Sequence, residues 1–87
     1  MTDKQLLKRL QYQQNRLLDM SGYSFYLSLS DGISINRYFN IYIHDANNNY
    51  DIIYKDTFKI KDSSLNIKLS KLKDFIDGLL NYEKTRN

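Results

Sequence analysis

The fold is decided by a stretch in which apolar and polar side chains alternate, Tyr23-Ser24-Phe25-Tyr26-Leu27-Ser28-Leu29-Ser30. Successive side chains of a β-strand point to opposite faces of its sheet, so this pattern predicts a strand over residues 23–30 with one buried face. The stretch follows a helical pattern and precedes two similar alternating stretches. The sequence therefore predicts an α+β fold.

Two further strands are predicted on the C-terminal side. Residues 35–44 alternate in the same way, and the polar loop at residues 45–49 predicts a hairpin, because Asn and Asp tolerate turn conformations. Residues 50–60 predict a third strand, whose apolar face also contains Asp56. Since a carboxylate does not suit that face, we expect a bulge or a local break near Lys55 and Asp56.

Helical periodicity flanks the predicted strands on both sides. Leucines recur along residues 2–20 with the spacing of an amphipathic helix, and Thr2 with Gln5 forms a capping box at its start. A second apolar stripe predicts a C-terminal helix over residues 70–84, with Ser70 as its N-cap.

Residues 65–69, between the third strand and the last helix, have two interpretations. In a helix, Ile67 would lie on the polar side and Lys68 in the apolar stripe, whereas in a strand the three apolar residues share one face. We therefore favour a fourth strand. The predicted fold class is α+β, an antiparallel meander of three to four strands with an N-terminal and a C-terminal helix packed on one face, in a single domain of residues 1–87.

Composition excludes several classes of function. The chain has no cysteine, which excludes disulfides, thiolate zinc sites and cysteine nucleophiles. Its single histidine, His44, cannot form a zinc site alone, and no phosphate-binding loop, nucleophile elbow or telling pair of carboxylates occurs. We therefore predict no enzymatic activity, no metal and no cofactor. No apolar run approaches the ~18–20 residues that span a bilayer, and the N-terminus lacks the apolar region of a secretion signal, so we expect a cytoplasmic protein with no membrane partner.

The polar face of the predicted sheet is the first candidate binding surface. It carries several tyrosines, whose rings are apolar and whose hydroxyls are polar, and tyrosine is enriched at protein interfaces. The plain alternative is that tyrosine is simply a good strand former. The predicted protein-binding residues are Tyr26, Tyr38, Asn40, Tyr42 and Ile53.

A lysine-rich stretch is the second candidate surface. Residues 55–73 contain six lysines and only two acidic residues, Asp56 and Asp62, so the stretch is positively charged. Lysine beside tyrosine is suited to binding nucleic acid, because the ring stacks on bases and the ammonium neutralises phosphates. Such a stretch is also typical of a solvated face. The predicted nucleic-acid-binding residues are Lys55, Lys59, Lys61, Lys68, Lys71 and Lys73. A further basic patch on the first helix consists of Lys8, Arg9, Tyr12 and Arg16.

The predicted order α-β-β-β-α resembles that of the double-stranded-RNA-binding domain. In that family a basic cluster at the start of the last helix contacts phosphates across a groove, and Lys68, Lys71 and Lys73 lie near that position. This resemblance of topology implies nucleic-acid binding as the alternative function.

Size, composition and layout also resemble the small accessory proteins of phages and mobile elements, including anti-CRISPR proteins. Some of those combine an N-terminal helix, a three-stranded meander and a C-terminal helix, as Lys4–Met20, Tyr23–Ile60 and Ser70–Lys84 are predicted to do. The resemblance implies a non-enzymatic protein that binds and inhibits a host protein such as a CRISPR effector. This is the function we predict, for a monomer or for a homodimer formed through an unpaired sheet edge.

Overall fold

The structure, a computed structural model, describes residues 1–20, 22–31 and 37–86. The predicted α+β layout, with an antiparallel meander between two helices, is confirmed. Residues 35 and 36 of the predicted second strand lie outside the described residues. The elements are helix α1 (Asp3–Arg16), strands β1 (Tyr23–Asp31), β2 (Arg37–Asp45) and β3 (Asp51–Phe58), and helix α2 (Leu65–Arg86).

Helix α1 begins where the capping box predicts. Thr2 Oγ1 accepts a hydrogen bond from the Gln5 N–H at 3.2 Å, and Gln5 Oε1 accepts one from the Thr2 N–H at 2.8 Å. The helix ends at Arg16, earlier than the predicted residue 20. The N–H of Leu17 is shared between two carbonyls of the last turn, and this tighter geometry ends the helix.

The three strands form one sheet in the order β1-β2-β3, so β2 lies in the middle. β1 and β2 pair residue for residue, starting with Tyr23 opposite Asp45. The polar hairpin predicted at residues 45–49 is confirmed, and its last turn holds Asn49 and Tyr50 at φ angles of 56° and 57°.

A bulge shifts the register between β2 and β3. Ile43 faces Tyr54, whereas the next residue of β2 faces Ile52, so Ile53 has no opposite residue. The predicted position of the bulge, near Asp56, is wrong, because Asp56 itself pairs in regular register. Ile52 is consequently 53% exposed, and Ile53 packs against the core.

Both helices pack on the same face of the sheet, as predicted. Alternate residues of β2 meet apolar residues of α1 and α2 in a single cluster, so in the part of the chain that the structure describes no helix covers the opposite sheet face. Within the described residues, neither helix is long and apolar enough to cross a membrane. The buried cluster consists of Leu6, Leu10, Leu17, Phe39, Ile41, Ile43, Phe58, Leu65, Leu72 and Ile76.

The predicted fourth strand over residues 65–69 is wrong, and so is the predicted N-cap at Ser70. Helix α2 begins at Leu65. It follows a turn in which the Asp62 carboxylate accepts a hydrogen bond from the Ser64 N–H at 2.8 Å. The helix therefore begins five residues before the predicted residue 70.

Helix α2 accommodates a lysine in its buried stripe because three acceptors surround the ammonium. Lys68 Nζ lies 3.0 Å from Asp62 Oδ2 and 3.6 Å from Asp56 Oδ1. It also donates to the Thr57 carbonyl at 2.8 Å. The two residues that seemed misplaced, a lysine on the helix and a carboxylate on the inner face of β3, therefore neutralise each other. Ile67 takes the outward position and is 60% exposed.

Candidate binding surface

The sheet face opposite the helices is the candidate binding surface, and we call it the outer face. Its side chains lie in four rows, each of which crosses the three strands or continues just past β3. The rows are Ser24 with His44 and Ile52, Tyr26 with Tyr42 and Lys55, Ser28 with Asn40 and Thr57, and Ser30 with Tyr38 and Lys59.

Tyrosine rings cover much of the outer face. Tyr26 and Tyr42 face each other on adjacent strands, with ring centroids 6.2 Å apart and an interplanar angle of 46°. That distance is within the favourable range for aromatic pairs. Tyr26 is nevertheless 57% exposed, so much of its surface is available to a partner. The three predicted tyrosines, including Tyr38, lie on this one face.

Each of two tyrosines carries a lysine ammonium above its ring. Lys55 Nζ lies 5.9 Å from the centroid of Tyr42, and Lys59 Nζ lies 5.4 Å from that of Tyr38. Both distances are within the ~6 Å at which a ring face attracts a cation. Both lysines are exposed, so the rings position the charges without removing them from solvent.

Asn40 joins the three strands at the centre of the outer face. Its Nδ2 donates to Ser30 Oγ at 3.1 Å, and its Oδ1 accepts from Thr57 Oγ1 at 2.9 Å. The predicted binding residue Asn40 therefore has an internal role, because it holds its neighbours in place. Thr57 was not singled out in the sequence, although it alternates with Lys55 and Lys59 on the same face.

The outer face is positively charged. Its four rows contain two lysines and no acidic residue, whereas Asp56 of β3 points to the opposite side. A surface with one sign of charge attracts partners of the other sign and raises their association rate. The face can therefore hold carboxylates or phosphates while the tyrosine rings contact apolar or planar groups.

The prediction that Ile53 belongs to this face is wrong. Ile53 packs against the core, and its neighbour Ile52, which the alternation placed inside, lies outside opposite His44. A change of one residue in register moves each side chain to the other face of the sheet. No residue type at this position signals the bulge.

The six lysines of the predicted basic stretch do not form one surface. Lys55 and Lys59 lie on the outer face. Lys61 lines a cavity of about 730 Å³ where β3 meets α2, which Lys59 and Lys68 also line together with Asp62, so three of the six lysines meet there. Lys68 lies half-buried between two carboxylates. The hydrogen bond with Asp62 raises the pKa of Lys68, while the Ser64 N–H and then Lys68 lower the pKa of Asp62.

The last two lysines lie on α2, away from the outer face. Lys71 is exposed, and Lys73 Nζ lies 2.8 Å from Asp77 Oδ2. Arg16 of α1 also pairs with Asp77, which ties the two helices together. The hydrogen bonds from Lys73 and then Arg16 lower the pKa of Asp77. The hydrogen bond between Lys73 and Asp77 also raises the pKa of Lys73.

A groove between α1 and α2 is also basic. Lys8, Arg9 and Tyr12 line it from α1, and Leu69 with Lys73 lines it from α2, around a volume of about 510 Å³. The basic patch predicted on the first helix is therefore divided, because Arg16 turns to Asp77 instead.

His44 makes a hydrogen bond within its own hairpin. Its Nδ1 lies 2.9 Å from the carbonyl oxygen of Tyr50. In the part of the chain that the structure describes, no three His, Cys, Asp or Glu side chains are grouped so that they could hold a metal ion.

Comparisons with protein-family models, curated proteins and solved structures find no match for this chain. The case for a function therefore rests on the geometry and charge of the surfaces described above.

Proposed function

We propose that this protein is a non-enzymatic binding module that docks its outer face on an acidic surface of another protein. The observation that carries the proposal is the pair of lysine–tyrosine contacts, Lys55 on Tyr42 and Lys59 on Tyr38, on a face without acidic residues. Tyrosine supplies broad contact area with a polar tip. The two lysines supply charge that no carboxylate of the same face neutralises.

The same face suits inhibition by occlusion. A sheet surface held rigid by the Asn40 hydrogen bonds loses little conformational entropy when it binds. We propose that the partner is a host protein such as a CRISPR effector, covered by this face in the cytoplasm. The small size and the α-βββ-α layout support this identity by resemblance, and the lack of cysteine is in keeping with a reducing compartment.

Nucleic-acid binding is the second candidate, favoured by lysines placed directly over tyrosine rings. On the outer face it relies on Lys55 and Lys59; Lys68 and Lys73 are engaged by aspartates, and the exposed Lys61 and Lys71 lie elsewhere. If two phosphates of a single strand are neutralised, the logarithm of the binding constant falls with the logarithm of the salt concentration with a slope of only about −1.4, which corresponds to weak electrostatic binding. A protein partner therefore fits the observed charge better.

The test is capture of partners from host lysate on immobilised protein, with and without nuclease. We compare the wild type with Tyr38→Ala/Tyr42→Ala, and with Tyr12→Ala as a control, since Tyr12 is 64% exposed on α1. The proposal predicts that the wild type captures a partner protein with or without nuclease treatment. The double variant should not capture that protein, and Tyr12→Ala should capture it as the wild type does.

Capture that is unchanged in Tyr38→Ala/Tyr42→Ala would refute the outer face as the contact surface. Capture that disappears with nuclease would instead support the nucleic-acid candidate. Circular dichroism of each variant checks that the fold is retained.

A further inference from the structure

We infer that the free edge of β1 is a self-association surface, on which a second copy of the chain pairs antiparallel with the first. This inference is independent of the proposed binding function and uses a different part of the sheet. Because β1 and β3 are the outer strands, each has one side on which residues 1–20, 22–31 and 37–86 supply no neighbouring strand. Such edges readily pair with another chain unless they are protected.

The edge at β3 is protected in three ways. The bulge at Ile53 interrupts its register. Lys55 and Asp56 place charges within the strand, and charges on an edge oppose pairing. Lys68 Nζ also donates to the Thr57 carbonyl and occupies this acceptor.

The edge at β1 lacks these forms of protection. β1 pairs with β2 in unbroken register over its full length. Residues 23–30 contain no charged residue and no proline, and the one charged residue of the strand, Asp31, is its last. Gln14 Nε2 donates to the Phe25 carbonyl at 3.2 Å and so occupies the N-terminal part of the strand. The segment that remains is Tyr26–Ser30.

An apolar row also stops at this edge. Leu29 faces Phe39, and Phe39 faces Phe58, on the side of the sheet that carries the helices. Phe39 and Phe58 are 3% and 0% exposed, whereas Leu29 is 50% exposed. A strand added at β1 would extend this row over Leu29.

A second copy fits this edge better than a charged partner does. The chain has a net charge of +3, so contact between two copies is opposed least where the touching segments carry no charge, and Tyr26–Ser30 is such a segment. Its midpoint is Ser28. Antiparallel pairing about a two-fold axis at Ser28 sets Leu27 of one copy opposite Leu29 of the other and brings no like charges together.

The pairing is expected to be weak and to enlarge the outer face. Five residues per copy bury less than a standard interface of about 1,600 Å², so we expect a Kd on the order of 10–100 µM. The product is a continuous six-stranded sheet. Its outer face carries two sets of the lysine–tyrosine contacts, which increases avidity for a partner with repeated sites.

Sedimentation equilibrium of the purified protein, with no partner present, tests the inference. The matched variants are Leu29→Lys on the β1 edge and Ile52→Lys on the β3 edge, since these residues are 50% and 53% exposed. We expect the wild type and Ile52→Lys to dimerise, and Leu29→Lys to weaken dimerisation at least about tenfold. A monomeric wild type, or a dimer lost only in Ile52→Lys, would overturn the inference.

Cysteine cross-linking tests the same inference without disturbing an apolar residue. Because the chain has no cysteine, each single variant can form only a disulfide between copies. Ser28→Cys lies on the proposed axis, whereas two Ser24→Cys residues would be separated by about 26 Å along paired strands. Cross-linking of Ser28→Cys alone supports the inference, and equal cross-linking of both, or of neither, contradicts it.

Discussion

The two faces of β3 use their charged residues in opposite ways. On the outer face, Lys55 and Lys59 stand over tyrosine rings and are exposed, and Lys59 also lies near enough to Asp62 to help lower the pKa of that carboxyl. On the inner face, Asp56 meets Lys68 of α2, and a second carboxylate, Asp62, completes the neutralisation. The inner charges are therefore part of the fold, whereas the outer charges remain accessible to a partner.

This difference shows that a count of lysines overstates the available positive charge. Lys55 and Lys68 belong to the same basic stretch of sequence, yet the fold assigns one to a surface and the other to an internal contact. Substitutions on the two faces should accordingly have different effects in experiments. Changes on the inner face should lower stability, and changes on the outer face should lower binding.

The largest effect on stability is expected at Phe58, on the inner face of β3. Phe58 is fully buried, so Phe58→Ala should lower the free energy of unfolding by about 3–5 kcal/mol through lost burial and the cavity that remains. At the neighbouring residue on the outer face, Thr57→Ala removes one hydrogen bond to Asn40 and should lower the free energy of unfolding by about 1 kcal/mol. Urea denaturation measures both, and equal losses would contradict the division between the faces.

A smaller loss is expected at Lys68. Lys68→Met keeps the aliphatic stem but leaves Asp56 and Asp62 without their shared cation. We expect a loss of about 1 kcal/mol, modest because the pair is partly exposed, which lowers Tm by about 4–8 °C. Lys71→Met is the matched control on the same helix, since Lys71 is exposed. A thermal melt in which both variants behave alike would show that Lys68 has no internal role.

The same ion pairs predict how stability depends on pH. The pKa values of Asp62 and Asp77 are lowered by hydrogen bonds in the folded state, so their contribution is present above the unfolded value of about 3.9 and is lost as pH falls. The pKa of Lys68 is raised, so its contribution is lost as pH rises above about 10.4. In thermal melts, lowering the pH below 4 should reduce the Tm of Lys68→Met by less than it reduces the Tm of the wild type. An equal reduction in both would count against the ion pair of Lys68 and Asp62.

Tyr54, on the inner side of the sheet, makes stability depend on pH in the alkaline range as well. Burial against Phe75, with the nearby charge of Asp56, raises the pKa of Tyr54 to about 12. Its unfolded value is about 10, so stability is lost as pH rises from about 10 towards 12.

Much of the fold follows from local pattern. The alternation of residues 23–30 and the capping box at Thr2 depend on near neighbours, and both are confirmed. The segment 65–69 could not be assigned in this way, because Asp56 and Lys68 each look misplaced when considered alone. Their contact is tertiary, so periodicity does not contain it.

The outer face could be predicted to the extent that the strands pair regularly. Tyr26, Tyr38 and Tyr42 lie where alternation places them because β1 and β2 pair without interruption. Ile53 does not, since the bulge depends on how β3 pairs with β2. The division of the basic stretch likewise depends on which lysines meet aspartates, as Lys68 does, and this is set by packing between distant segments.

The most direct test of the outer face compares two charge-matched double variants. Lys55→Glu/Lys59→Glu reverses both charges on that face, and Lys8→Glu/Lys71→Glu reverses two exposed charges on the helical side. Their net charges are equal, so only the location of the change differs. Binding of the captured partner is measured for each by titration at a fixed salt concentration.

The outer-face variant is predicted to bind at least about tenfold more weakly than the wild type, because its glutamates face an acidic surface. The helical-side variant is predicted to bind as the wild type does. Equal weakening in both would mean that net charge alone controls association, and full binding by Lys55→Glu/Lys59→Glu would contradict the assignment of the outer face.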